Sequence, residues 1–118
     1  MFLRDRYGSA VGCLAIKLHR HTEYDQSMVS YQMSVLNPLD KFNRELARTI
    51  AKGRLLEAPH VVMVPVEPSM YEVSQAVMKD ITHDSTVPTR ARQAARRWLR
   101  TNEAKIKQTL NLYMQENY

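Results

Sequence analysis

The sequence predicts one α+β domain spanning residues 1–118, a two-layer fold with a three-stranded antiparallel sheet and helices on one side of it. Two periodicities indicate this class. Apolar residues recur at every second position in the segments predicted to be strands, and they recur three or four positions apart in the segments predicted to be helices. With 44% hydrophobic residues and few Gly and Pro, the chain has the composition of a folded domain. The predicted element order is β-β-α-β-α-α.

The first two elements are predicted to form a hairpin. Residues 10–19, AVGCLAIKLH, carry apolar side chains on both faces, which favours a strand in the interior of the sheet. In residues 27–36, SMVSYQMSVL, apolar and polar side chains alternate from Val29 to Val35. Because the segment between the two stretches is polar and short, the strands should pair antiparallel.

A cationic helix is predicted next, from about residue 40 to residue 52. Asp40 is placed to cap it after the break at Pro38, and Gly53 is placed to end it. The apolar side predicted to pack on the sheet consists of Phe42, Leu46 and Ile50. The cations of this segment lie on the other side or just beyond it: Lys41, Arg44, Arg48, Lys52 and Arg54.

A third strand and two more helices complete the prediction. Residues 60–67, HVVMVPVE, form a strand that ends or lies at an edge at Pro65, because proline has no N–H to donate. Ser69 and Glu72 have the spacing of a capping box and should open a helix with the apolar face Met70, Val73, Val77 and Ile81. The last helix, from about 89 to 115, has the apolar stripe Ala91, Ala95, Trp98, Ile106, Leu110 and Tyr113.

The net charge of +5 is unevenly distributed along the chain. Residues 90–107 contain seven Lys and Arg against one Glu, and residues 40–55 contain five against two acidic residues. Residues 56–84 are acidic, with five carboxylates and one Lys. An excess of positive charge favours a polyanion or an acidic protein surface as partner.

The leading candidates for binding are the arginines of the last helix. Arg92, Arg96 and Arg100 stand at positions i, i+4 and i+8, next to Arg97. Like charges at this spacing repel one another, and cations early in a helix oppose its dipole, so the arrangement is unfavourable without an anion. The planar guanidinium suits phosphate or carboxylate. The alternative is a solvated helix face, and the cations of the 40–52 helix form a second candidate surface.

Motifs for catalysis or cofactors are absent from the sequence. It has no HExxH, GxGxxG or Walker A pattern, and Cys13 is its single cysteine, in an apolar stretch. We therefore expect no cofactor, no metal site and no enzymatic activity. One cysteine excludes an intrachain disulfide and favours a reducing compartment. The N-terminus does not resemble a secretory signal, and no apolar run reaches the length of a membrane span.

The stretch from VSYQMSVLNP into DKFNRELARTIAKGRL resembles a pattern in small bacteriophage-encoded proteins. There a strand ends in Pro, and an Asp-x-Phe-x-Arg helix closes on Ile-Ala-x-Gly-Arg-Leu. The matching residues here are Pro38, Asp40, Phe42, Arg44, Arg48, Ile50, Ala51, Gly53, Arg54 and Leu55. The resemblance carries no catalytic residue, but it implies a phage origin and action in the host cytoplasm.

Two functions follow as the leading expectations, ahead of a third, an enzyme that acts on a nucleotide or nucleic acid. The first is a small basic protein that contacts nucleic-acid phosphates through its arginine-rich helices. The second is a phage inhibitor that binds a host protein with an acidic or nucleic-acid-binding surface, such as a nucleic-acid-processing enzyme or a CRISPR–Cas or other defence component. The acidic segment 56–84 favours the second, because it would repel nucleic acid.

Overall fold

The secondary-structure elements follow the order β-β-β-α-β-α-α. The computed structural model describes residues 1–19, 26–37 and 41–117, with side chains described as far as Lys105. The elements are β1 (Phe2–Arg4), β2 (Ala10–His19), β3 (Gln26–Val35), α1 (Arg44–Glu57), β4 (His60–Pro65), α2 (Met70–His83) and α3 (Thr89–Asn117). Neighbouring strands are antiparallel, in the spatial order β1-β2-β3-β4. The α+β class is therefore confirmed, whereas the predicted element order and strand number are wrong.

The additional strand is β1. It has three residues and pairs with β2, so that Phe2 lies opposite Cys13 and Leu3 lies opposite Gly12. Three residues are too few for a period of two to be recognised in a sequence. Leu3 is nonetheless only 2% exposed, because β1 closes the core at the β2 edge of the sheet.

Helices cover both faces of the sheet, which corrects the two-layer prediction. On one face, the cross-strand neighbours Leu14 and Met33 belong to the main core, which α2 and α3 complete. On the other face, Cys13 and Ala15 pack against α1. The apolar residues on both faces of β2 are the physical reason, because each apolar face has to be removed from water. The fold therefore has three layers.

The buried side of α1 is displaced by one residue from the predicted side. Ala47 and Ala51 are buried, whereas Leu46 is 56% exposed and Ile50 is 37% exposed. One residue corresponds to about 100° around a helix. The sheet beneath α1 presents small side chains, so alanines allow a close approach, and Ser34 Oγ donates a 2.8 Å hydrogen bond to the Ala47 carbonyl. The predicted burial of Leu46 and Ile50 is wrong for this reason.

Both ends of α1 also differ from the predicted range 40–52. Asn43 is the N-cap, and its side chain accepts a backbone N–H from the first turn. The predicted cap, Asp40, lies outside the described residues. The helix continues past Gly53 to a C-cap at Ala58. A glycine lowers helix propensity without ending a helix that packs well on a sheet, so the predicted stop is wrong.

Two local signals after α1 are confirmed. β4 ends at Pro65 and is an edge strand, as the missing N–H of proline requires. Ser69 caps α2, and Ser69 Oγ accepts the Glu72 backbone N–H while the Glu72 carboxylate accepts the Ser69 backbone N–H, both at 3.1 Å. The capping box therefore fixes where α2 begins.

The helices α2 and α3 pack against each other over the main core. The predicted face of α2 is buried at Val73, Val77 and Ile81, whereas Met70 in the first turn is 76% exposed. On α3, Ala91 and Ala95 are buried and Trp98 is half-buried. The remaining predicted stripe residues lie outside the described side chains: Ile106, Leu110 and Tyr113. Within the described ranges, no helix has the length and apolar character needed to cross a bilayer.

Candidate anion-binding groove

The loop between β1 and β2 is held by hydrogen bonds of Asp5. Its Oδ1 accepts the backbone N–H groups of Tyr7 at 2.9 Å and Ser9 at 3.0 Å. The Asp5 backbone N–H donates to the Ser9 carbonyl at 2.9 Å, and Arg4 Nη1 donates to the Gly8 carbonyl at 2.8 Å. Gly8 has a φ of 81°, which glycine adopts without strain. The backbone of the loop is therefore fixed independently of the side chains at its tip.

The tip of the β1–β2 loop carries the side chains of Arg6 and Tyr7, and both are exposed. The guanidinium carbon of Arg6 lies 4.8 Å from the centroid of the Tyr7 ring, a cation–π contact. Tyr7 is 76% exposed, although a side chain of its size gains free energy when it is buried. The loop thus presents a cation and an aromatic ring to solvent.

One side of α3 faces this loop and is rich in arginine. The α3 residues there fall within about 120° of helical arc: Arg90, Gln93, Arg96, Arg97 and Arg100. Together with Arg6 and Tyr7 they border a cleft of about 430 Å³. Among the described residues that line the cleft, the one carboxylate belongs to Asp5, and the loop backbone already uses its Oδ1.

A second cleft, of about 540 Å³, adjoins the first, and both are lined by Asp5 and Arg97. It lies between β1 and α3, and it adds the cations Arg4 and Lys105 and the half-buried ring of Trp98. We call the two clefts together the arginine groove. Its cations are Arg4, Arg6, Arg90, Arg96, Arg97, Arg100 and Lys105.

Among the described residues that line the arginine groove, negative charge is scarce. Among the described side chains, no carboxylate oxygen lies within 4.0 Å of an arginine nitrogen; the ion pair they form joins His60 and Asp84, at 3.4 Å. Arg90 and Arg97 donate to backbone carbonyls at 2.8 and 3.5 Å, which positions them without neutralising them. Arg90 lies in the first turn of α3, which has no acidic residue, so its charge opposes the helix dipole. A bound anion relieves this repulsion.

The predicted ridge of Arg92, Arg96 and Arg100 is brought together only in part. Arg96 and Arg100 border the groove, as does the predicted Arg97. Arg92 lines neither cleft: its Nη2 donates to Thr89 Oγ1 at 3.1 Å, and its Nε is buried without a hydrogen-bond partner. At about 100° per residue, Arg92 lies just outside the side that faces the loop, about 40° around the helix from Arg96.

Two arginines of the cationic helix α1 make cation–π contacts with the Phe2 ring. The guanidinium carbons of Arg44 and Arg48 lie 5.4 and 5.1 Å from the ring centroid. Phe42 meets the same ring edge-on, with centroids 5.7 Å apart, and is half-buried there. These arginines border neither cleft, so they belong to a different surface from the arginine groove.

The other predicted cations of this segment are also outside the groove. Arg54 Nη1 donates to the Met33 carbonyl at 2.9 Å, which ties the end of α1 to β3. Lys41 and Lys52 are exposed and line neither cleft. The second predicted surface is therefore split between packing contacts and solvated lysines.

Sequence patterns did not identify the part of the groove that comes from the first residues of the chain. The segment RDRYGS has turn residues at Asp5 and Gly8, so its turn was recognisable. Its position against α3 was not, because the hydrogen bond between Arg97 and the Arg4 carbonyl joins residues 93 positions apart. Arg4, Arg6 and Tyr7 are the functional candidates added by the structure.

Other polar clusters among the described residues fit structural roles. Tyr31 Oη donates to Asp80 Oδ2 at 2.5 Å, and Tyr31 is fully buried. Burial raises the pKa of the Tyr31 phenol, and the hydrogen bond to Asp80 raises it further, so Tyr31 stays neutral. His19 Nε2 and Ser30 Oγ are 2.8 Å apart, but Ser30 is buried in the sheet. In the described part of the chain, no three His, Cys, Asp or Glu side chains are grouped to hold a metal ion.

No protein family, curated protein or solved structure matches this chain. Guanidinium groups in a row, one carboxylate and an exposed ring suit an extended ligand that carries several anionic groups.

Proposed function

We propose that the protein is a small non-enzymatic nucleic-acid-binding protein whose arginine groove contacts phosphates. The observation that carries this proposal is the ratio of six arginines to one engaged carboxylate among the described residues that line the two adjoining clefts. Each guanidinium group can donate two parallel hydrogen bonds to the oxygens of one phosphate. A row of arginines therefore suits a row of phosphates. From the resemblance of its sequence we extend the proposal to a phage-encoded protein that acts in the host cytoplasm.

The acidic segment 56–84 does not oppose this proposal. None of its five carboxylates lines either cleft of the arginine groove. The length of the groove also favours a polymer over a small anion, because the two clefts adjoin along α3 and β1. A net charge of +5 further attracts a polyanion to the protein.

The test is the double variant Arg96→Gln/Arg100→Gln. Glutamine keeps the helix propensity close to that of arginine, so α3 should fold as in the parent protein. Fluorescence anisotropy with a labelled oligonucleotide should show binding weakened by about 10- to 100-fold. Because two phosphate contacts are lost, the slope of log affinity against log salt should become shallower by about 1.5.

The matched control is Lys41→Gln/Lys52→Gln. It removes the same charge from exposed residues outside the groove, so the affinity should change much less than in the groove variant. Equal losses in the two variants would indicate attraction by net charge alone. Full affinity of Arg96→Gln/Arg100→Gln, with an unchanged melting curve, would contradict the groove as the binding site.

The alternative function is a phage inhibitor of a host protein, such as a nucleic-acid-processing or CRISPR–Cas or other defence component. It is favoured by exposed apolar side chains in residues 56–66: Leu56 (85%), Val61 (50%), Met63 (48%) and Val66 (45%). The experiment is a pull-down from host lysate with and without nuclease treatment, with Met63→Glu as the control variant. A protein retained by the parent chain and lost with Met63→Glu supports the inhibitor, whereas loss of all bound material on nuclease treatment supports nucleic acid.

A further inference from the structure

We infer that the arginine groove takes single-stranded nucleic acid, with one unpaired base stacked on the ring of Tyr7. This inference rests on the proposed function and specifies its ligand. Tyr7 lines the same cleft as Arg96, Arg97 and Arg100, and its ring is 76% exposed. An exposed ring beside phosphate-binding cations is the combination used to bind single strands.

The Tyr7 ring is held ready for stacking before any ligand arrives. The two hydrogen bonds to Asp5 Oδ1 come from backbone N–H groups. They therefore fix the backbone of the loop and leave the Tyr7 ring exposed to solvent. Arg6 lies over one face of the ring at 4.8 Å. A planar ring has two faces, and a base can stack on the other one. The positive charge of Arg6 near the ring also attracts the phosphate that belongs to that base.

Duplex nucleic acid cannot use this ring in the same way. In a duplex, each base except those at the two ends has both faces covered by its neighbours, and stacking on a protein side chain requires the base to be unstacked first. A single strand offers exposed faces without this cost. The Tyr7 side chain should therefore add affinity for a single strand and none for a duplex.

The length of the groove suits a short segment of strand. On α3 its cations extend from Arg90 to Lys105, about 22 Å at 1.5 Å per residue. This distance is long enough for several successive phosphates of one strand. The half-buried Trp98 ring lines the second cleft, farther along α3. Several phosphates and one stacked base thus fit the arrangement of Arg4, Arg6 and the α3 arginines.

The experiment compares Tyr7→Ala with the parent protein on three labelled probes about 12 nucleotides long: oligo-dT, an abasic strand of the same length, and a duplex. The parent should bind oligo-dT more tightly than the abasic strand. Tyr7→Ala should weaken binding to oligo-dT by about 10- to 100-fold and leave binding to the abasic strand and the duplex unchanged. Tyr7→Phe, which keeps the ring, should restore the affinity for oligo-dT. An oligo-U strand shows whether RNA is bound as well.

The outcomes separate this inference from the proposed function. If Tyr7→Ala binds oligo-dT as tightly as the parent, or if the parent binds the abasic strand as tightly as oligo-dT, base stacking is wrong. The groove proposal then still stands if Arg96→Gln/Arg100→Gln loses affinity for every probe. If the parent binds none of the probes at low salt, the proposed function fails, and the inference fails with it.

Discussion

Replacing Gly12 with alanine should lower the free energy of unfolding by about 3 kcal/mol. A Cβ atom at this position would overlap the backbone carbonyl oxygen of Ser34 on β3. Because the clash is with backbone, no side-chain rotation relieves it, and the strands have to move apart. Gly12 lies opposite Leu3 in β1 and Val35 in β3, so the shift disturbs both neighbouring strands. Urea denaturation followed by circular dichroism measures the loss, and Tm should fall by roughly 10 °C.

The matched control is Gly53→Ala, the same substitution at a glycine with free space around it. A Cβ at Gly53 meets no atom within 4 Å, and the residue lies inside α1. Alanine in a helix interior is favoured over glycine by about 1 kcal/mol, so this variant should be more stable than the parent. If the free energy of unfolding of Gly12→Ala equals or exceeds that of the parent, β2 and β3 do not approach as closely at Gly12 as described.

The second large effect is expected beneath α1. Ala51 is fully buried between the helix and the sheet. In the variant Ala51→Leu, three additional carbon atoms have to fit where small side chains are closely packed, and overpacking of this kind should cost about 2 kcal/mol. The free energy of unfolding from urea denaturation measures the effect.

Its control is the adjacent residue, Ile50. Because this side chain is 37% exposed, Ile50→Ala should cost about 1 kcal/mol or less, well below the cost at a fully buried isoleucine. The side of α1 predicted from hydropathy implies the reverse order, with Ile50→Ala the more damaging change. A larger loss for Ile50→Ala than for Ala51→Leu would therefore show that α1 packs through the predicted side.

Local signals in the sequence were sufficient for some elements and misleading for α1. The bounds of β2 and the capping box at Ser69 were predictable, because each depends on residues next to one another in the chain. The buried side of α1 was not. Leu46 and Ile50 are more hydrophobic than Ala47 and Ala51, so hydropathy selects the first pair. Packing buries the second pair, because the small side chains of the strands beneath α1 allow the helix to lie close to the sheet.

The same distinction applies to the candidate site. Arg96, Arg97 and Arg100 were predictable, since helical spacing alone places them near one another. Arg92 is on the same predicted ridge, but the position of the β1–β2 loop decides which arginines border the groove, and no pattern within α3 contains that information. Arg6 reaches the groove only because β1 pairs with β2, and β1 is too short to be recognised.

The small side chains under α1 have a kinetic consequence. Lifting α1 from the sheet opens only the smaller of the two buried clusters and leaves the main core closed, so this opening costs less free energy than global unfolding. Cys13 is the single cysteine of the chain and lies 4% exposed in the cluster with Ala47 and Ala51. The rate at which a thiol reagent modifies Cys13 in native buffer therefore measures how often α1 separates from a sheet that remains folded.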